Sequence, residues 1–257
     1  MDHETSPSRQ IDWSLADWLE EATLPTFAVR DTRSAQGRLD ARVKTVTVAD
    51  LVLAHGHACD GLLRAVWAWR ALLDTVAELD PLDRSDLLVV SKNSPCLGDV
   101  AAYLTGARAR FGTHRLDDSL GVGFRVRRLS SDDAWEVREE PGFFPTTIID
   151  WEAELLRDGR SESEMRELLA VHEAAQWDWV REHLLTSAPR DHYHVRRLED
   201  FDPPAPLHLA RCTDTVNRLV PPPLQVPSPD DPTVAPREPD ASTLERWRAR
   251  YQAGPAS

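Results

Sequence analysis

Cysteine is scarce in this 257-residue sequence: Cys59, Cys96 and Cys212 form an odd set of three. Such a set excludes the paired framework of a small secreted scaffold. With no CxxC spacing, the usual signatures of zinc ribbons, common iron–sulfur clusters and thioredoxin-type chemistry are also missing. Lysine is limited to Lys44 and Lys92 against 28 arginines, and isoleucine to Ile11, Ile148 and Ile149. With abundant Ala, Pro and Asp, this is the usage of a GC-rich coding sequence, not a functional signal. No apolar run approaches the ~20 residues needed to span a bilayer. The opening MDHETSPSRQ lacks the basic-then-apolar order of a signal peptide. Positive charge is outweighed, 30 Lys+Arg against 43 Asp+Glu for a formal net charge of −13. That balance argues against a nucleic acid or an anionic membrane as partner. The expectation is a soluble cytoplasmic protein with reduced thiols, built as one large domain or a domain with an appendage.

Strands mixed with helices, including a hairpin, predict an α+β fold with a small antiparallel sheet rather than a doubly wound one. Residues 14–22 read as a short helix capped by Ser14, and an extended piece follows Pro25. Residues 41–48 alternate as a strand. Thr47 and Asp50 bracket the start of a short helix ending near His55. From Asp60 to about Leu79 the apolar spacing is helical without a proline. LLVVSK (87–92) reads as a buried strand. Asn93 or Ser94 then caps a helix over 96–106, with Pro95 in its first turn and Gly106 as its stop. Residues 122–129 and 134–140 read as a hairpin, 151–157 and 161–185 as helices, and 192–198 as a strand. Residues 203–239 hold 11 of the 19 prolines and predict a tail or a strap across the surface. STLERWRARYQ (242–252) reads as a last amphipathic piece.

The densest reactive cluster is HGHACDG, which places His55, His57, Cys59 and Asp60 within six residues at a helix–helix junction. Imidazole and thiolate together select zinc, or iron, nickel and copper where geometry allows. Two side chains of an HxHxC run can reach one ion while the third supports them. The competing reading is a plain turn with a buried cysteine and a capping histidine. Cys96 falls in the first turn of a helix, where unpaired N–H groups and the helix dipole favour a thiolate. Asp99, one turn on along the same face, is placed to orient a histidine, to bind weakly or to act as a base.

HGHACDG followed by CLGDVAAYLTGA resembles the family formed by the E subunit of formylmethanofuran dehydrogenase and its stand-alone relatives. That family shares a His-Gly-His-x-Cys-Pro-Gly turn and a Cys-x-x-Asp-x-x-x-x-x-Thr-Gly helix, then a Phe-Gly loop and a hairpin. Here Cys96, Asp99, Thr105, Gly106, Phe111 and Gly112 follow in that order. The resemblance covers roughly residues 48–140. It implies an α+β domain, commonly dimeric, with a transition metal held by His57, Cys59 and Cys96 and with His55 and Asp99 close by. This chain departs at Asp60, where the family has proline, and at Ala107, where many members have a second cysteine. It also lacks the Cys-rich zinc-binding tail, which points to a free-standing member. The implied layout is an N-terminal helix and strand region (1–47), a family-like metal-binding core (48–140), a helical extension (141–200) and a proline-rich tail with a terminal helix (201–257).

Other constellations are weaker. His192 and His194, two apart on a strand, would share a face. His172 and His183 lie about 16 Å apart along a helix and cannot share an ion, and HEAAQ lacks the second histidine of HExxH. Trp67/Trp69 and Trp177/Trp179 predict one packed ring and one groove-facing or partner-facing ring in each pair. The leading expectation is a metalloenzyme, zinc first among the metals, acting on a small organic substrate as a homodimer. His57, Cys59 and Cys96 would hold the ion, and His55, Asp99 and Cys96 would do the chemistry. Two alternatives stand beside it. One is a metal-free enzyme with Cys96 as nucleophile. The other is a non-catalytic carrier of metal, sulfur or haem, or an accessory protein.

Overall fold

The computed structural model describes residues 11–13, 16–32, 41–155 and 161–206. Cys212, nearly all of the proline-rich stretch and the 242–252 piece lie outside the described residues. The described chain divides into two units, one made of residues up to Pro145 together with Glu173–Pro206, the other including Thr146–His172.

The first unit holds two sheets. In the smaller, β1 (Thr26–Thr32) lies between antiparallel β2 (Ala41–Thr47) and the short parallel β3 (Leu82–Asp83). The larger has five strands in the order β5-β4-β6-β7-β8. Its members are β4 (Leu87–Ser91), β5 (His114–Leu116), β6 (Gly123–Arg128), β7 (Ala134–Glu139) and β8 (Tyr193–Leu198). All neighbours are antiparallel except β4 and β5. The α+β expectation holds, with two sheets in place of one and parallel pairs that the sequence pattern does not reveal.

One face of the larger sheet carries Val89, Phe124, Val126, Trp135, Val137 and Tyr193, all buried. Helix α2 (Asp60–Thr75) packs there, with Trp69 against Phe124 at 5.2 Å between ring centroids. Helices α1 (Val48–His55) and α3 (Pro95–Thr105) pack beside it. Because α2 is enclosed on several sides, Trp67 and Trp69 are both buried. Trp177 and Trp179 are buried as well, which corrects the expected division of each pair into packed and outward rings. Gly123 starts β6 where the backbone leaves no space: a Cβ there would stand 2.3 Å from the Val137 carbonyl oxygen.

The opposite face is laid with guanidinium groups. Glu136, 4% exposed, accepts from Arg125, Arg138 and Arg196, and Arg125 also reaches Asp117 at 2.7 Å. After β8 at one edge, the chain reaches β5 at the other, where Arg115 donates to the Pro204 carbonyl at 2.7 Å. The start of the proline-rich region is therefore a strap on this sheet.

Several boundaries move. Over 17–20 there is one 3₁₀ turn, Asp17–Glu20, in place of the helix expected at 14–22. So short a segment before Pro25 cannot repay helix nucleation, and it is held instead by burial of Leu19. Helix α2 stops at Thr75, because Val76 leaves helical angles, and Ala77–Leu79 forms a separate 3₁₀ turn. The hairpin lies at β6 and β7 as expected. In the second unit, α4 (Thr146–Leu155) starts directly after Pro145, earlier than the 151 expected. Helix α5 (Glu162–Trp179) runs from the second unit into the first and ends in a π-type turn, Val180–Leu184. His192 closes a short helix, α6 (Pro189–His192), so only His194 is on β8 and the two do not share a strand face. Among the described residues no helix is long and apolar enough to cross a membrane.

Candidate metal centre

Strand β2 passes straight into α1 through Thr47. The Thr47 hydroxyl accepts from the Asp50 N–H at 3.2 Å, and the Asp50 carboxylate accepts from the Thr47 N–H at 2.9 Å. This reciprocal cap fixes the helix start. Its far end, His55, is followed by Gly56 at φ +107°, a left-handed angle that glycine adopts without strain. The chain turns there, its Ala58 N–H bonded to the Asp12 carbonyl at 2.8 Å, and enters α2 with Cys59 as the capping residue. The Cys59 sulfur accepts the Leu62 N–H at 3.3 Å. His55, His57 and Cys59 thus stand around one tight corner.

The second set of groups arrives on α3. Ser94 is its cap, Pro95 its first residue, and Cys96 lies in its first turn. The Cys96 sulfur lies 3.5 Å from that of Cys59. This approach depends on Gly61: a Cβ there would be 3.0 Å from the Cys96 sulfur. One turn further on, Asp99 Oδ2 is 2.8 Å from His55 Nδ1, and the other imidazole nitrogen, Nε2, is 3.8 Å from the Cys59 sulfur. The His55 side chain is 5% exposed and that of Asp99 49%. His57 is exposed, its ring centroid 4.8 Å from that of His55. The ligand atoms of His55, His57 and Cys59 all lie within 4.8 Å of one another.

The donor set and its spacing can be tested against a tetrahedral zinc ion. Bonds of about 2.3 Å to sulfur and about 2.0 Å to nitrogen put two sulfurs about 3.8 Å apart and a sulfur and a nitrogen about 3.6 Å apart. The observed 3.5 and 3.8 Å fit these edges. Asp99 on His55 Nδ1 supplies the carboxylate that fixes a ligating imidazole's tautomer. As free thiols the two cysteines share a proton. The hydrogen bond from Cys59 holds the Cys96 thiol down at about 6, and the same bond, with burial, pushes the Cys59 thiol up.

Beside this corner is a polar network that no sequence motif announces. Arg64 makes a two-pronged pair with Glu139, Nε to Oε2 at 2.9 Å and Nη2 to Oε1 at 2.5 Å, and reaches Asp60 at 3.4 Å. Tyr193 donates to Glu139 at 2.9 Å, and Gln176 to Asp60 at 2.9 Å. The Arg64 guanidinium also lies over the Phe144 ring at 4.0 Å. Asp60 and Arg64 are four apart, a spacing visible in the sequence. Glu139, Gln176 and Tyr193 are brought in only by the fold.

His114 is likewise unmarked by any motif. It is buried on β5, its Nε2 2.9 Å from the Ser91 hydroxyl, with Cε1 against Gly98 of α3. Burial lowers its pKa from 6.5, with the charge of Asp99 opposing. A histidine held neutral in the fold contributes stability that is full above the unfolded pKa and lost as pH falls through the lower folded one. Urea midpoints measured at about pH 7.5 and about pH 5.5 should therefore fall more for wild type than for His114→Gln. An equal fall in both would remove His114 from the acid response.

The other histidines lie elsewhere. His192 stacks on Phe143 at 3.9 Å, with Nδ1 3.0 Å from Glu140. His194 is exposed. Neither is in the compact group of His55, His57 and Cys59.

The fold and the corner define an α+β protein with a His/Cys cluster where one helix ends and the next begins. The chain matches the family model described as FmdE, molybdenum formylmethanofuran dehydrogenase operon, over residues 54–188, just over half its length. It belongs to that family. The match extends beyond the core resemblance into the helical extension. Three chains of solved structures match. One is described as a tungsten formylmethanofuran dehydrogenase FmdE-like protein from Syntrophus aciditrophicus. It is 15% identical with a TM-score of 0.35, covering 60% of this chain and 73% of that one. No curated protein matches.

Proposed function

We propose that this protein is a metal-dependent enzyme acting on a small organic molecule, with His55, His57, Cys59 and Cys96 as the donors and zinc as the ion they suit. The observation that carries the reading is the compact group of His55, His57 and Cys59, whose ligand atoms lie within 4.8 Å of one another, with the Cys96 sulfur 3.5 Å from that of Cys59 and Asp99 on the far nitrogen of His55. Zinc held this way supplies a Lewis acid that polarises a carbonyl or lowers the pKa of water. The chain's own residues do the rest. Asp99 keeps the His55 Nδ1 proton in place, which leaves Nε2 free as a donor atom. Its half-exposed carboxylate can also take a proton from a molecule at the mouth of the corner. His57, on the exposed side, is the donor whose position leaves room for exchange with substrate. Cys59 and Cys96 lie deeper, where the Leu62 N–H supports one sulfur and the start of α3 the other.

Metal analysis of the purified protein is expected to find about one ion per chain, lost in Cys59→Ser and in Cys96→Ser. Wild type that takes up no zinc, cobalt, nickel or iron would overturn the reading. A second reading has one observation in its favour, the Cys96 sulfur in the first turn of α3, 3.5 Å from the Cys59 sulfur. In that case Cys96 is a nucleophile without a metal, and iodoacetamide labels it rapidly in metal-free wild type.

A further inference from the structure

The two sulfurs that the proposed centre uses as donors are also each other's close neighbours, 3.5 Å apart. We propose that Cys59 and Cys96 form an oxidisable dithiol: a peroxide joins them as a disulfide, which withdraws both sulfurs from the metal and releases it. The release step rests on the metal-centre reading; the crosslink does not.

Three features support the crosslink. Each sulfur is carried at a helix start, Cys59 capping α2 and Cys96 in the first turn of α3, and these helices pack on each other. The backbones therefore keep the sulfurs opposed. Gly61 places no side chain against the Cys96 sulfur, so the 1.5 Å or so of closure to a bond of about 2.05 Å is open to side-chain rotation. Both cysteines are half-buried, within reach of an oxidant as small as hydrogen peroxide and with no third thiol beside them among the described residues.

The chemistry balances with peroxide as the only co-reactant. One sulfur attacks a peroxide oxygen; an S–O bond forms, the O–O bond breaks and hydroxide leaves, giving a sulfenic acid. The second sulfur attacks that sulfur, forming the S–S bond while the S–O bond breaks and a second hydroxide departs. The two thiol protons convert both hydroxides to water. The sulfurs lose two electrons and the peroxide gains two. In the disulfide neither sulfur is a thiolate, the form that binds metal, and only the His55 and His57 imidazoles remain as donors.

The test uses full-length protein carrying Cys212→Ser, so that only two thiols are present. One sample is stripped with a chelator and one is loaded with zinc; both receive hydrogen peroxide. In the stripped sample, peptide mapping should find a Cys59–Cys96 crosslink that dithiothreitol reverses. In the loaded sample, a chromogenic zinc indicator should register about one ion freed per crosslink formed. A sulfinic acid on one cysteine with the other left as a free thiol would overturn the dithiol. Zinc that stays bound to crosslinked protein would overturn the release. If the reduced protein takes up no zinc at all, the metal reading falls, and the stripped sample still decides the crosslink by itself.

Discussion

Replacing Arg64 with alanine is expected to lower the unfolding free energy by about 3–5 kcal/mol, the usual cost of breaking a buried ion pair from one side. The Arg64 side chain is 12% exposed, and its partners Asp60 and Glu139 are 12% and 7% exposed. Without the guanidinium, two carboxylates are left beside each other, facing the Tyr193 hydroxyl and the Gln176 amide. The neutral Tyr193 hydroxyl does not offset the Glu139 charge, so the cost follows from the charge left behind rather than from the bond removed. Lysine should recover only part of the loss, since it cannot make the two-pronged contact with Glu139 or lie flat over Phe144. Urea unfolding of wild type, Arg64→Ala and Arg64→Lys would measure this. A loss below about 1 kcal/mol for alanine would place the pair with surface ion pairs and refute the buried-network reading.

Asp99→Asn is expected to weaken zinc affinity about 10- to 100-fold, with little change in the urea midpoint. The asparagine oxygen can still accept the His55 Nδ1 proton, so ring orientation survives. What is lost is the negative charge that makes Nε2 a better donor. Asp99→Ala should lose more, because it also releases the ring. Competition against a chromogenic chelator reads both variants without any assay of activity. Affinity within twofold of wild type for both would show that the 2.8 Å contact between Asp99 and His55 does not support a bound ion.

The local part of the site is legible in the sequence because its causes are local. Thr47 and Asp50 announce the α1 cap, Gly56 the turn, and Pro95 the start of α3. The spacing of HGHACDG alone brings three donors to one corner. Deciding which donor does what needs the tertiary structure. Sequence alone points to His55 chiefly as a proton carrier and to His57 as a ligand. Only the packing of α3 against α1 and α2 shows that Asp99 occupies one nitrogen of His55 and that the other faces the Cys59 sulfur. The Glu139–Arg64 pair is hidden for the same reason: its partners are separated by 75 residues and meet only when β7 lies against α2. The strands β3 and β5 escape sequence reading because two or three residues carry too little alternation to register. The tryptophan pairs mislead because a two-residue offset implies opposite sides of a helix, and opposite sides of α2 are both interior.

The separation of the two sulfurs in the chain, 37 positions, says something about when the corner exists. Between Cys59 and Cys96 lie α2 and β4, a helix and a strand buried in the core. The first corner can be drawn by a short peptide; the sulfur pair cannot meet until α2, β4 and α3 have assembled. The cluster is thus a clasp on a finished core and not a seed for it. An ion taken up there would add its binding energy to the global unfolding reaction and leave the fraying of the outer helices unchanged.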